Sequence, residues 1–296
     1  MKIRDSIHLD PAELEIMRHT LHRRPELGFE EVGTADYIAD RLAAWGYEVH
    51  RGLAKTGVVG GLRKGKSKRA IGLRADMDAL PVTEQAEFPH VSEYPGRMHA
   101  CGHDGHMAML LGAANILHHL SGDVTGNVIF AFQPNEEDAG AHIMIEEGVL
   151  ENPKVDAAFG CHLWNQLDTG EIGITQGPVM AASHYFDIVI RGMGGHDGFV
   201  HESVDPIIVA AAVIQAVQAI QTREVNALHQ TVFMFTRIVG GANATTVPES
   251  VSLQGSIRFL IEGDVSILKR FQQIVHDTCN THRASCDISF KTGNHV

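Results

Sequence analysis

The sequence predicts an α/β protein of two domains: residues 1–180 built on a mixed, largely parallel sheet with helices on both faces, and residues 181–296 forming a ferredoxin-like βαββαβ unit. Three observations carry that prediction. Helix and strand signals alternate through the first half. The rhythm changes after Gly177-Pro178. A length of 296 residues is also that of about two ordinary domains.

Asp10-Pro11-Ala12-Glu13 reads as a helix start, with an N-cap, a proline at the first helical position and a capping-box carboxylate. Tyr37, Ile38 and Leu42 recur at helical spacing after Thr34, and Gly46 stops that helix. Strands are expected over 58–62 and 70–74, joined by the polar turn KGKSK. A helix over 107–120 follows, then a strand over 128–132, a helix over 141–150, and strands over 155–161 and 172–176. The second half reads as a strand 185–191, a helix 204–221, strands 232–239 and 251–260, a helix 265–282 and a strand 287–291.

Composition narrows the function. Hydrophobic residues are 44% and charged residues 20%, the balance of a folded globular chain. A net charge of −12 argues against a nucleic-acid partner, which needs a Lys/Arg surplus. No apolar run is expected to span a membrane, because the longest, over 207–220, is broken by Gln215 and Gln218. The start MKIRDSIHLDP has no apolar h-region and the four cysteines form no CxxC pair, so a reducing cytoplasm is the expected location. Nineteen histidines raise the prospect of metal or proton chemistry.

Three predicted strands end in chemistry-bearing residues: 70–74 in Asp76 and Asp78, 128–132 in Glu136 and Glu137, 155–161 in His162. Ligands of open α/β sheets bind beyond the carboxyl ends of strands, so these groups are expected to converge. The loop MHACGHDGH adds His99, Cys101, His103, Asp104 and His106, a donor set suited to Zn²⁺ or Mn²⁺. Taken singly, each has a plainer reading. His162 is an ordinary hydrogen-bonded histidine, the Glu pair a solvated helix start, and the aspartates are loop caps. Their convergence favours the metal.

MHACGHDGH, QPNEED, RADMDALP, RRPELGFEE and GMGGHDGFVHESVDP together resemble the M20 metallopeptidase family, in its amidohydrolase branch of aminoacylase, hippurate hydrolase and auxin-conjugate hydrolase relatives. The resemblance runs from about Leu21 onward. It implies a catalytic domain with up to two divalent ions, Zn or Mn with Co as a further option, and a second domain acting as lid and homodimer contact. Cys101, His103, Glu137 and His162 match the family's metal ligands, Glu136 its general base and Asp76 an orienting aspartate. His196 matches a lid histidine that reaches the partner's active site and stabilises the oxyanion. Arg258 is similar to residues that grip a substrate carboxylate. Asn243 stands two residues before Thr245, where family members often carry Asn.

The implied reaction is hydrolysis of N-acyl amino acids, other small amides or small esters by a metal-activated water. The resemblance also implies a return segment after the lid with a last histidine ligand, whereas this sequence stops at His295-Val296. One ion is then expected to lack a ligand unless His99, His106 or His295 supplies it. The rival expectation is a catalytically impaired truncated homologue that binds a small ligand or a partner protein.

Overall fold

The structure, a computed structural model, describes residues 9–260 and 265–293. Two compact units divide the chain, Met1–Glu171 and Ile172–Val296.

The first unit runs α1 (Pro11–His22), α2 (Val32–Ala44), β1 (Glu48–Leu53), β2 (Gly57–Lys64), β3 (Ala70–Asp76), α3 (His103–His119), β4 (Gly126–Gln133), α4 (Ala141–Glu146) and β5 (Ala157–Gly160). Asp10 caps α1 by accepting the Ala12 amide at 2.9 Å, with Pro11 opening the helix. Glu13 closes no capping box here. Its carboxylate turns instead to Asn115 at 3.4 Å and Arg41 at 3.9 Å.

The sheet order is β1-β2-β4-β3-β5. The expectation of a largely parallel sheet needs correction: β1–β2 and β2–β4 are antiparallel, and only β4–β3 and β3–β5 are parallel. The reason lies in the connections. Three residues between β1 and β2 permit only a hairpin, whereas α3 provides the long crossover that a parallel β3–β4 pair requires. KGKSK accordingly joins two strands that are not neighbours, because β4 lies between them.

Alternation along the strands separates two cores. Val58, Leu62, Val128, Phe130 and Phe132 meet Met17, Ile38, Leu42 and Leu111 of α1, α2 and α3. Val59 and Ile129 face the other way, onto Met144 of α4. Phe130 is fully buried, and truncating it to Ala is expected to cost about 3–5 kcal/mol.

Two further expectations change. Residues 172–176 form no strand, and Ile172 and Ile174 are 85% and 90% exposed. The helix expected from residue 107 starts at His103, after Gly102 at φ 91°. His103, Asp104 and His106 therefore occupy the first helical turn rather than a loop.

The second unit runs β6 (Ala182–Arg191), β7 (Gly195–His196), a 3₁₀ turn (Asp197–Glu202), α5 (Pro206–Ala219), a π turn (Ile220–Glu224), β8 (Thr231–Gly240), β9 (Thr246–Val247), β10 (Ser250–Phe259), α6 (Ser266–Thr281) and β11 (Ser285–Thr292). Its main sheet has the order β11-β6-β10-β8, antiparallel throughout, which is the split βαβ arrangement. On α6, Ile267, Phe271, Ile274, Val275 and Cys279 recur at helical spacing and pack on Phe186, Ile188 and Leu253.

Pro206–Glu224 is long and apolar enough to cross a membrane by length and composition, contrary to the expectation that no run was. The helix continues past Ile220 in the π turn, and Gln215, Gln218 and Gln221 do not offset its Ile, Val and Ala content. Val209, Ala210, Val213, Val217 and Ile220 belong to the core of this unit, which accounts for the apolar character.

Candidate metal centre

Parallel pairing sets the site. The β3–β4 register places Asp76 beside Gln133, and the β3–β5 register places Arg74 beside Gly160. The chain leaving each strand then delivers Asp78, Glu136-Glu137 and His162 to one sheet edge, as the sequence predicts, and the first turn of α3 adds His103 and His106.

His103 is fully buried. Its Nδ1–H donates to the Asp78 carbonyl at 2.8 Å, which orients the ring and turns Nε2 toward the acids. That Nε2 has no hydrogen-bond partner. It lies 3.7 Å from Asp76 Oδ2, 3.8 Å from Glu136 Oε2 and 3.9 Å from Glu137 Oε1. Cys101 Sγ stands 3.4 Å from His162 Nε2, while His162 Nδ1–H donates to the Leu163 carbonyl at 2.6 Å. Donor atoms of Cys101, His103 and His162 lie within 4.8 Å of one another, as do those of His103, Glu136 and Glu137. A buried ring nitrogen without a hydrogen-bond partner, ringed by a thiol, an imidazole and carboxylates, fits a borderline divalent cation.

Electrostatics point the same way. Burial opposes ionisation of Asp76, but the His106 hydrogen bond and the Arg74 guanidinium hold it at about 2. Burial disfavours charge on His103, yet the Asp78 hydrogen bond and the Asp76, Asp78 and Glu136 charges raise it to about 9. Burial first, then Glu137 and Glu136, push the Cys101 thiol up to about 12. Burial also raises Glu137, with Glu136 and Asp78 adding to it. The donors thus share a negative field, and a cation entering it displaces their protons.

Behind the donors, buried carboxylates hold the backbone. Asp78 accepts the Glu136 amide on Oδ1 at 2.8 Å and the Glu137 amide on Oδ2 at 3.1 Å. Glu31 accepts the Asn135 amide at 2.9 Å and the Thr56 hydroxyl at 2.6 Å. His106 donates from Nδ1 to Asp76 at 2.6 Å and accepts the Leu163 amide on Nε2 at 2.8 Å. Both its nitrogens are engaged, and Asp76, His103 and His106 form a third group whose donor atoms lie within 4.8 Å of one another. His99 is buried with both ring nitrogens unpartnered, but it joins none of the donor groups. His295 lies outside the described residues. The sequence reading missed the clamping parts of Asp78 and Glu31. The one-residue spacing in RADMD marked Asp78 only as a strand-end acid, and nothing local marked Glu31.

In the second unit, His196 sits exposed on the β7–β9 ribbon. Its Nδ1 is 3.0 Å from both the Gly198 amide and the Asp197 carboxylate, which leaves Nε2 free among the described residues. Asn243 Oδ1 accepts the Thr245 amide at 3.0 Å in an Asx turn and accepts from its hydroxyl at 3.3 Å. Arg258 is exposed and lines a cavity of about 430 Å³ with Gln221, His229 and Thr231. The sequence grouped Arg258 with Asn243, but the structure separates them. Arg258 pairs with Val232 at one end of β10, whereas Val251 pairs with Gly240, beside the Asn243 loop, at the other. At about 3.3 Å per residue, that is a separation of roughly 25 Å.

Residues 72–289 match the profile of Peptidase family M20/M25/M40. The chain is 38% identical over 276 residues to IAA-amino acid hydrolase ILR1-like 4 of Arabidopsis thaliana, covering 93% of this chain and 62% of that protein. It is 39% identical over 279 residues to the N-acyl-L-amino acid amidohydrolase of Geobacillus stearothermophilus, covering 93% and 75%. A solved dinuclear metal-binding M20 peptidase of Bacillus subtilis superposes with a TM-score of 0.82 at 32% identity, covering 96% of this chain and 74% of that one. The chain therefore spans less than two thirds of the Arabidopsis relative's length.

Proposed function

The chain belongs to peptidase family M20/M25/M40, and from that premise we propose that it hydrolyses N-acyl amino acids or similar small amides, with small esters as a variant. The observation that carries the reading is the unpartnered, buried His103 Nε2 facing Glu136 and Glu137. Relatives at 38–39% identity whose names are hydrolases support it over the binding-protein alternative.

Cys101, His103, Glu137 and His162 would hold divalent metal, Zn or Mn with Co as an option, and up to two ions per chain. A bound ion would acidify water and polarise the scissile carbonyl. Glu136, whose amide is held by Asp78, takes a proton from the attacking water and returns it to the leaving nitrogen as the C–N bond breaks. Asp76 and His106 brace the first turn of α3 and with it His103.

The second unit acts as a lid. A free His196 Nε2 suits a donor aimed at a developing oxyanion, and a fork-shaped guanidinium at Arg258 suits a substrate carboxylate. Because His196 and Asn243 belong to the opposite end of their unit from Arg258, the reading assigns them to two copies of the chain, with His196 serving the partner's site. The unpaired edge of β8, where Val232, Met234, Ile238 and Val239 are exposed, supports a homodimer joined through that strand.

The test is release of free amino acid from a panel of N-acyl substrates with added Mn²⁺, Co²⁺ or Zn²⁺. Turnover that appears with metal and disappears with chelator is expected. Turnover indifferent to chelator overturns the metal mechanism.

A further inference from the structure

We propose that Glu31 is a positioning residue for the Glu136 carboxylate, acting through the backbone of the turn that carries it; the inference rests on the hydrolase reading above. Three consecutive amides, those of Asn135, Glu136 and Glu137, end on two buried carboxylates, Glu31 for the first and Asp78 for the other two. Asp78 also receives His103, so it belongs to the metal centre. Glu31 touches no candidate ligand among the described residues, and beyond its own helix its carboxylate accepts from Thr56 and Asn135.

Its own helix does not need it. Glu31 occupies the N-cap position of α2 but makes no side-chain cap bond. Glu26 caps that helix instead, accepting the Gly33 amide at 3.1 Å and the Thr34 amide at 2.8 Å. Glu31 is thereby free to turn, wholly buried, to a residue 104 positions along the chain. Burial raises its pKa, so placing this carboxylate here is costly, and the amide it holds is what the fold obtains in return.

The held turn is a strained one. Asn135 and Ala139 adopt φ of 51° and 61°, and Phe29, two residues before Glu31, adopts 63°. Non-glycine residues seldom take that region, and surroundings must over-determine it. Those surroundings are tight. A Cβ on Gly28 would fall 1.9 Å from Asn135 Oδ1, and one on Gly140 would fall 2.5 Å from the Pro134 carbonyl oxygen. Without an acceptor for the Asn135 amide, the Pro134–Asn135 peptide can rotate to find water and shift the following residue, Glu136, with it. A misplacement of about 1 Å costs on the order of 100-fold in rate.

The experiment compares Glu31→Ala, Glu31→Gln and Thr56→Val. It reads kcat and KM per metal-loaded chain, metal content, and amide exchange of the 134–140 segment against the β4 segment before it. Glu31→Ala is expected to lower kcat by about tenfold to 100-fold with KM and metal content unchanged, and to speed exchange in 134–140 alone. Glu31→Gln should restore kcat to within about threefold, because its amide oxygen still accepts the Asn135 amide and its NH₂ can donate to the Thr56 hydroxyl. Thr56→Val, which frees one carboxylate oxygen, should move both readouts the same way by less, and it serves if Glu31→Ala does not fold. Exchange unchanged in 134–140, or kcat per loaded chain unchanged, overturns the assignment. If the unmodified chain hydrolyses nothing, the hydrolase reading fails, and the exchange measurement still decides whether Glu31 holds the turn.

Discussion

In the first unit Asp76, Asp78, His103 and His106 lie buried after β3 and at the start of α3 and bond to one another, with half-buried Glu136 and exposed Glu137 and His162 beside them, whereas in the second His196, Asn243 and Arg258 are all exposed. Strand direction explains the difference. Parallel neighbours release their chains at the same edge, so residues distant in sequence collect there. Antiparallel neighbours release theirs at opposite edges, so Asn243 after β8 and Arg258 near the end of β10 are driven apart. Burial adds a second contrast. A buried polar group must be paired, and its partner reveals what it holds. An exposed one acquires a task only when another surface arrives.

The largest expected effect falls in the first unit's cluster. Glu136→Gln should lower kcat by about 10³-fold with metal content unchanged, measured by turnover beside elemental analysis. Lost metal would make Glu136 a ligand and redraw the first unit's division of labour. His196→Ala should cost about 10²–10³-fold, again with metal retained. Mixing it with Glu136→Gln chains should recover part of the activity, since one mixed site keeps both groups. No recovery would mean that the exposed residues of the second unit do not serve a partner.

A smaller effect is expected behind the ligands. Asp78→Asn replaces one acceptor of the Glu136-Glu137 amides with a donor and should weaken metal affinity about 10–100-fold in a calorimetric titration. The smallest concerns pH. His22 lies 2.9 Å from Asp104 and 3.0 Å from Glu84, and its pKa is raised, chiefly by the Asp104 hydrogen bond against the opposing effect of burial. A raised folded pKa means that the stabilisation is complete below the ordinary value of 6.5 and fades as pH climbs through the folded value. Melting temperature should therefore decline from pH 6.5 upward, and His22→Gln should flatten that slope.

The sequence legibly placed Asp76, Asp78, Glu136, Glu137 and His162 at strand ends, because short apolar runs followed by acids are local patterns. It also ordered the second unit's main elements, where α6 carries a clear apolar stripe. Edge strand β1 escaped notice, since Glu48–Leu53 is mostly exposed and shows no apolar alternation. The helical start at His103 was hidden by glycine and histidine, both poor helix signals. Glu31 and the insertion of β4 between β2 and β3 depend on contacts across many residues, which no window of sequence displays.

That insertion has a consequence for how the protein folds. Consecutive strands β2 and β3 must leave a slot that β4 enters only after α3 has crossed over. Asp76 and Asp78 arrive with the strand on one side of the slot, Glu136 and Glu137 with the strand that fills it. A chain whose slot is still open would lack Glu137, one of the four candidate ligands, so a divalent ion should favour the finished sheet over its precursors. At about 100 times its dissociation constant it would deepen the completed state by about 2.7 kcal/mol and the open one by less. Metal supply during folding would then act as a latch on strand insertion, set well before any substrate is met.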